Sequence, residues 1–381
     1  MDSQALLNFT QALIRERSLS GKEQAVVQCI SAEMRALGFQ RVWVDEYGSV
    51  IGTIAGDLPG PTLLLDGHCD IVDAAAQDWS RPPFAAQIDG DYLYGRGVAD
   101  MKAALAGMIY AAASVDRRAL RGRVAVSATV LEEVMEGAAL QKVMDALQPA
   151  AVIIGESTEF RLNRAGRGRA ELVVETFGKS AHSSSPQAGR CAVHEMIDMI
   201  EAIDRSPMPC HPVVGSAQIV LTDIISDPFP GHSVIPNRCR VSYDRRLVPG
   251  ETPEGIVSAI ESLPEMAAIP HRITVLNGDE TTFTAQSLKG LKFFPAWSFE
   301  ENHPLVAAAL RGLRAAGLPS PLGSYSFCTN GSYSAGIAGV PTIGFGPGKE
   351  TDAHTVDERM KIEDILKAEA GYEAMIQAIL R

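Results

Sequence analysis

Residues 62–70 read Thr62-Leu63-Leu64-Leu65-Asp66-Gly67-His68-Cys69-Asp70. The apolar run predicts a buried strand, and the glycine marks where it gives out. His68 and Asp70 then fall where strand passes into loop, on the edge where open α/β sheets place their chemistry. Neighbouring side chains of an extended segment point to opposite faces, so Cys69 faces away from both and is not counted as a ligand.

The same arrangement recurs outward from this stretch. A strand over 123–131 runs directly into Glu132-Glu133, and a strand over 151–155 ends at Glu156. The strand 341–345 leads through Gly346-Pro347-Gly348 to Asp352-Ala353-His354. Asp100 closes the glycine-rich stretch around Gly95-Arg96-Gly97, just ahead of the helical Lys102-Ala103-Ala104-Leu105-Ala106. A carboxylate is at home at a helix start, and a plain N-cap would also explain it. Glu132 and Glu133 repel each other. A cation would relieve that repulsion and divide their roles, one as ligand and the other facing a water. Taken singly, each of these residues reads as a cap, a turn or a packed histidine. Two histidines and four carboxylates at strand ends together point to a two-metal hydrolytic site.

A chain of 381 residues exceeds one ordinary core and predicts two domains. Its 46% hydrophobic and 21% charged content is that of a globular protein. A net charge of −12 argues against nucleic acid or an anionic membrane as partner. Cys29, Cys69, Cys191, Cys210, Cys239 and Cys328 form no CxxC pair, which fits reduced thiols in a cytoplasmic protein. The N-terminal residues show no basic region followed by an apolar core, and no apolar run reaches the roughly 18 residues of a membrane span.

Helical spacing covers 3–17 and 22–37, and short strands follow at 41–45 and 50–55, ahead of 62–66. With a helix from Lys102, the strand 123–131, a helix over 136–146 and the strand 151–155, the rhythm is that of an α/β fold with a mainly parallel sheet. Past residue 170 the texture changes. The alternating strand Glu171–Phe177, the polar loop around His182, a helix over 190–204, strands at 216–224 and 238–246, a helix over 253–262 and a strand at 272–277 make an inserted α+β unit. The expected division is 1–170 with 288–381 as one domain and 171–287 as the other. The last part holds a helix over Val306–Ala316, a loop whose Thr329, Asn330 and Gly331 offer polar groups to a substrate, and a C-terminal helix over 362–379.

Five motifs, Gly67-His68-Cys69-Asp70, Gly95-Arg96-Gly97-Val98-Ala99-Asp100-Met101-Lys102, Glu132-Glu133, Gly155-Glu156-Ser157 and Ala353-His354, stand in this order along nearly the whole chain. Together they resemble the motif set of the acetylornithine deacetylase and succinyl-diaminopimelate desuccinylase family, which also includes aminoacylases and carboxypeptidase G. The resemblance implies a catalytic domain with two zinc ions per subunit, replaceable by cobalt or manganese. His68 and Glu156 would hold one ion, Glu133 and His354 the other, and Asp100 would bridge them across a cis Asp100–Met101 peptide. Asp70 would fix the His68 ring, and Glu132 would be the general base that passes a proton from water to the leaving amine.

Residues 171–287 resemble the family's lid and dimerisation domain, with a ferredoxin-like α+β fold. His182 then matches a histidine that reaches the partner subunit's site and stabilises the oxyanion. Arg246 matches the arginine that binds the substrate carboxylate, a task suited to a guanidinium fork. One departure stands out. Ser233 occupies the place before Val234-Ile235-Pro236 where the family often has asparagine, with His232 or Asn237 as compensating contacts. The expected substrates are N-acyl amino acids, with a dipeptidase or carboxypeptidase on the same scaffold as the rival. A catalytically silent metal-binding protein is a third reading, against which the retained Glu132 speaks. A nucleotide-binding enzyme is excluded by the lack of GxGxxG after the first strand.

Overall fold

Leu63, Leu64 and Leu65 have no exposed surface, because their strand lies inside a nine-stranded sheet covered on both faces. The computed structural model describes residues 2–381. In chain order the strands of this sheet are β1 (Arg41–Val44), β2 (Val50–Ala55), β3 (Leu58–His68), β4 (Arg121–Thr129), β5 (Ala151–Ile154), β6 (Leu162–Gly166), β7 (Trp297–Ser298), β8 (Leu322–Tyr325) and β9 (Thr342–Gly344). They lie in the order β1-β2-β4-β3-β5-β9-β6-β7, with β8 beside β6. The four central strands β4, β3, β5 and β9 are mutually parallel, while β1 and β2 run antiparallel on one flank.

Register brings the carboxyl ends of the central strands level. His68 pairs with Thr129, Asp66 with Ile154, and Ile154 with Gly344. The segments that follow these four ends start side by side, and they carry Asp70, Glu132-Glu133, Glu156 and His354.

The two faces of the sheet are filled differently. The helix Leu140–Leu147 presents Leu140, Val143, Met144 and Leu147 to Leu64, Ala125, Val152 and Ile154. On the opposite face lies the helix Ala103–Ser114, buried all round from Ala103 to Ala112 because the C-terminal helix Ile362–Ile379 covers its outer side. Gly67 and Gly155 face this helix. A Cβ on Gly67 would stand 2.7 Å from Met101 Cε, and one on Gly155 would stand 2.7 Å from Met108 Cε. Two methionine side chains thus pack directly beneath the strand ends that carry His68 and Glu156.

The chain divides into two compact units. One takes in the chain up to Gly166 with Asp279–Lys289 and Trp297–Arg381, and the other takes in Arg167–Gly278 and Gly290–Ala296. In place of a single return near 288, the chain crosses at 279, goes back at 290 and returns at 297.

The second unit is built as strand Gly168–Phe177, helix Ala192–Asp204, strands Gln218–Asp227 and Arg238–Leu247, helix Pro253–Glu261 and strand His271–Val275. The strand Gly168–Phe177 sits between Arg238–Leu247 and His271–Val275, Gln218–Asp227 forms the far edge, and all pairs are antiparallel. This is the ferredoxin-like order. Leu172, Val174, Met196, Met199, Val241, Tyr243, Ile256 and Ile260 form its core. On the sheet, Glu175 is held by Arg238 and Arg272 from the two adjacent strands.

Two expected boundaries shift near the carboxyl edge of the sheet. β4 stops at Thr129, so Glu132 and Glu133 lie in a turn. The following helix starts at Leu140, not near 136, because Gly137 takes φ +77° in that turn.

Candidate metal centre

Five of the expected ligands meet at the carboxyl edge of the sheet. His68 Nε2 lies 2.8 Å from Asp100 Oδ1 and 3.3 Å from Glu156 Oε1. His354 Nε2 lies 3.0 Å from Asp100 Oδ2 and 3.1 Å from Glu133 Oε2. Asp100 therefore turns one oxygen to each imidazole, the placement a bridging carboxylate needs. The Asp100–Met101 peptide is cis. His68, Asp100 and Glu133 offer ligand atoms that all lie within 4.8 Å of one another.

Behind these residues stands a layer of buried, hydrogen-bonded polar groups. The His68 ring is fixed through Nδ1, which donates to the Asp70 backbone carbonyl at 2.9 Å, whereas the nearest carboxylate oxygen of Asp70 is 3.6 Å away. The Asp70 carboxylate thus stands beside the ring that its own carbonyl holds. It also accepts from the backbone N–H of Glu132 at 3.1 Å and of Glu133 at 3.2 Å, and from Ser20 Oγ at 2.8 Å. Glu23, also fully buried, accepts from the N–H of Leu131 at 3.3 Å and of Gly21 at 2.9 Å. Two buried carboxylates thus hold three successive N–H groups of the turn that carries Glu132 and Glu133. Lys102, two residues past Asp100, is buried and donates to the carbonyls of Leu13 at 2.9 Å and Glu16 at 2.7 Å. Its ammonium closes the carboxyl end of the helix Ser3–Arg15, where a cation is favoured.

The crowd of carboxylates sets the protonation of the site. Burial raises Glu156 to about 7, and the Asp100 charge adds to this. Glu133 is raised by burial and then by Asp100. The hydrogen bonds to Asp100 and Glu133 raise His354 to about 10. Burial works against a charge on His68, but Glu156, Asp100 and Asp70 outweigh it and raise that ring as well. Burial likewise works against the Asp100 carboxylate, and the two imidazoles overcome it and hold this group below its usual range. This negative field favours the protonated form of both rings, and divalent cations would compete with those protons on binding.

The residues fit such ions. Imidazole nitrogens and carboxylate oxygens are the ligands of zinc, cobalt and manganese sites. The buried Glu132 contributes a second indication. Its Oε1 has no hydrogen-bond partner among the described residues, and burial raises its carboxyl well above the usual range. A buried carboxylate oxygen left unpaired is costly unless something binds there.

Other expected contacts fall elsewhere. Asn330 is 3% exposed and its amide is spent. It donates to Asp66 Oδ2 and Thr129 Oγ1, both at 2.8 Å, and accepts from the Gly137 N–H at 2.7 Å. Thr329 is 1% exposed and accepts from the Gly331 N–H, and Trp297 packs over Gly331. These three residues are buried and tied to the edge of the sheet.

In the second unit, His182 is an exposed loop residue whose Nδ1 lies 2.7 Å from Ser184 Oγ. A backbone bridge joins it to Val234, next to Ser233, and Ser233 and Asn237 are both exposed. Arg246 keeps 32% of its side chain exposed and pairs with Asp244 at 2.8 Å. Arg245 is buried against Glu251 at 2.6 Å, a structural ion pair. Sequence reasoning missed Glu23 and Glu358, both buried carboxylates serving the ligand loops. Glu23 stands at a helix start, where an acid reads as ordinary, and nothing but its burial distinguishes it.

Histidines and carboxylates gathered at the strand ends of an α/β sheet define a metal-dependent hydrolase. The model of peptidase family M20/M25/M40 matches residues 64–378, and the chain belongs to that family. It acts on amide or peptide bonds. The chain is 29% identical over 379 residues to the uncharacterized protein YgeY of Escherichia coli (strain K12), covering 97% of this chain and 93% of that one. It is 29% identical over 317 residues to acetylornithine deacetylase of Salmonella newport, covering 78% and 75%. Among solved structures, aminopeptidase PepT of Bacillus cereus superposes with a TM-score of 0.78 at 19% identity, over 100% of both chains. A dinuclear metal-binding peptidase of family M20 from Bacillus subtilis superposes with a TM-score of 0.73 at 15% identity, covering 99% and 98%.

Proposed function

We propose that the chain is a two-zinc amidohydrolase that removes the acyl group from an N-acyl amino acid. The observation that carries this reading is Asp100 standing between His68 and His354, with Glu156 and Glu133 completing a donor set on either side. Bound there, the cations supply Lewis acidity toward the scissile carbonyl and make a neighbouring water acidic. Glu132 takes the proton of the attacking water and returns it to the departing amine. Its unpaired Oε1 and its raised pKa suit both halves of that transfer. Asp70 and Glu23 keep the turn in place by holding its N–H groups. The kinship with an acetylornithine deacetylase favours the N-acyl amino acid class.

The second unit, expected at 171–287, serves as lid and dimer contact in this reading. Its edge strand Gln218–Asp227 exposes Val220, Ile224 and Ile225 along a side that pairs with no strand among the described residues, which a second copy of the chain would cover. His182 would act on the substrate bound by the partner subunit, Arg246 would hold the substrate carboxylate, and Ser233 and Asn237 would contact the substrate carbonyl. Six cysteines without disulfides fit a cytoplasmic location.

The test is a hydrolysis screen of N-acetyl, N-succinyl, N-formyl and N-carbamoyl amino acids against free-amine dipeptides, with zinc- and cobalt-loaded protein. N-acyl amino acids are expected to be the better substrates. Preference for free dipeptides would replace this reading with a dipeptidase, and hydrolysis of neither class would overturn it.

A further inference from the structure

Glu358 lies four residues past His354, and its carboxylate is sealed from solvent. Both of its oxygens are engaged, and all four donors come from the loop that delivers Asp100. Oε1 accepts from the N–H of Ala99 at 2.7 Å and of Asp100 at 3.2 Å. Oε2 accepts from the Gly97 N–H at 3.1 Å and from Arg96 Nη1 at 2.6 Å. The Glu358 carbonyl accepts from the Gly95 N–H at 2.9 Å. The next residues, Arg359–Lys361, pair with Tyr92–Tyr94, just ahead of the loop. The Arg96 guanidinium is itself buried and lies 5.2 Å from the centre of the Trp79 ring.

A charged carboxylate buried at this cost has to be matched by what it holds. What it holds is the path from one ligand to another. His354 sits in a loop at φ +60°, half exposed. Asp100 sits in another loop with non-helical backbone angles. Glu358 belongs to the first loop and binds the backbone of the second, including the N–H of Asp100 itself. The other half has an independent tie. Ser157, next to Glu156, donates from Oγ to the Ala99 carbonyl at 2.9 Å. Ala99 is therefore held through both its N–H and its carbonyl, by Glu358 from the His354 loop and by Ser157 beside Glu156.

We infer that Glu358, paired with Arg96, is a positioning residue that sets the spacing of His354 from Asp100, and so governs the cation held by His354 and Glu133 more than the one held by His68 and Glu156. The inference rests on the two-metal reading. Glu358→Gln keeps the volume and one acceptor but turns an N–H₂ toward the Gly97 N–H and Arg96, donor against donor. Arg96→Lys keeps the charge and fills less of the fork. It carries the test if the first variant does not fold, as judged by circular dichroism of the metal-free protein.

The experiment titrates metal-free wild type and both variants with Zn²⁺ in competition with a chromophoric chelator. The absorption of the Co²⁺-loaded forms reports ligand geometry. Two equivalents are expected in the wild type. In Glu358→Gln one equivalent weakens by about tenfold or more, while the other stays within about threefold. Arg96→Lys shifts the same equivalent by a smaller factor, and the Co²⁺ spectrum changes only at the second equivalent. Placing Glu358→Gln on a His354→Ala background is expected to leave the remaining equivalent within about threefold. Wild-type affinities in the variants, or an equal loss at both equivalents, would overturn the inference. A single equivalent in the wild type would instead overturn the two-metal reading beneath it.

Discussion

The two halves of the candidate metal centre are built from different material. His68 closes strand β3 and Glu156 follows strand β5, and they are 1% and 4% exposed. Methionines pack beneath both, against Gly67 and Gly155. His354 and Glu133 come from a loop and a turn, and the His354 side chain is 48% exposed. The first half inherits its geometry from the parallel sheet, whose register sets the two ligands side by side. The second has no such support and is held from behind by buried carboxylates: Asp70 and Glu23 under the Glu133 turn, Glu358 beside the His354 loop. A sheet edge thus supplies half a site, and hydrogen bonds to backbone N–H groups supply the rest.

If this division is right, removing one imidazole from each half has unequal effects. His68→Ala opens a hole facing the carboxylates of Asp100 and Glu156 and strands the Asp70 carbonyl. It is expected to abolish uptake at its own position and to destabilise the metal-free protein by about 3 kcal/mol, the scale for breaking a buried pair. His354→Ala removes a half-exposed ring. One metal equivalent is lost, the other is kept, and stability changes by less than about 1 kcal/mol. Denaturant melts with metal counting check both, and equal destabilisation would erase the distinction.

A smaller effect concerns pH. The carboxylates around His354 raise its ring to about 10, so below that value a cation must displace a proton. Affinity at the loop-borne position is expected to fall as pH drops, with proton release on binding. Calorimetry in buffers of different ionisation enthalpy measures the protons released. Uptake without release would contradict the protonated ring.

Much of the fold was open to reading because its signals are local. The apolar run Leu63–Leu65, the alternation of 171–177 and the helical spacing of 362–379 each specify an element within a few residues. The candidate ligands stood out for a related reason, since each follows a strand end or a glycine turn. What escaped depends on contacts between distant segments. Glu358 lies 258 residues from Asp100, and nothing near it in sequence tells it from a solvated acid. Asn330 is a second case. A Thr-Asn-Gly loop shows its polar groups in the sequence, but the hydrogen bonds of the Asn330 amide to Asp66, Thr129 and Gly137 come from segments far along the chain. Asp70 was placed beside its ligand correctly, yet which of its oxygens holds the ring is decided by the turn at residues 131–133, far along the chain.

The central claim is that this buried pocket of histidines and carboxylates is a hydrolytic site in which Glu132 moves the proton. The most direct test is turnover of Glu132→Gln in metal-loaded protein, measured with its metal content. The account predicts a loss of about 10²–10⁴-fold in kcat with two equivalents still bound. Turnover within about tenfold of wild type, with both metals retained, would contradict it.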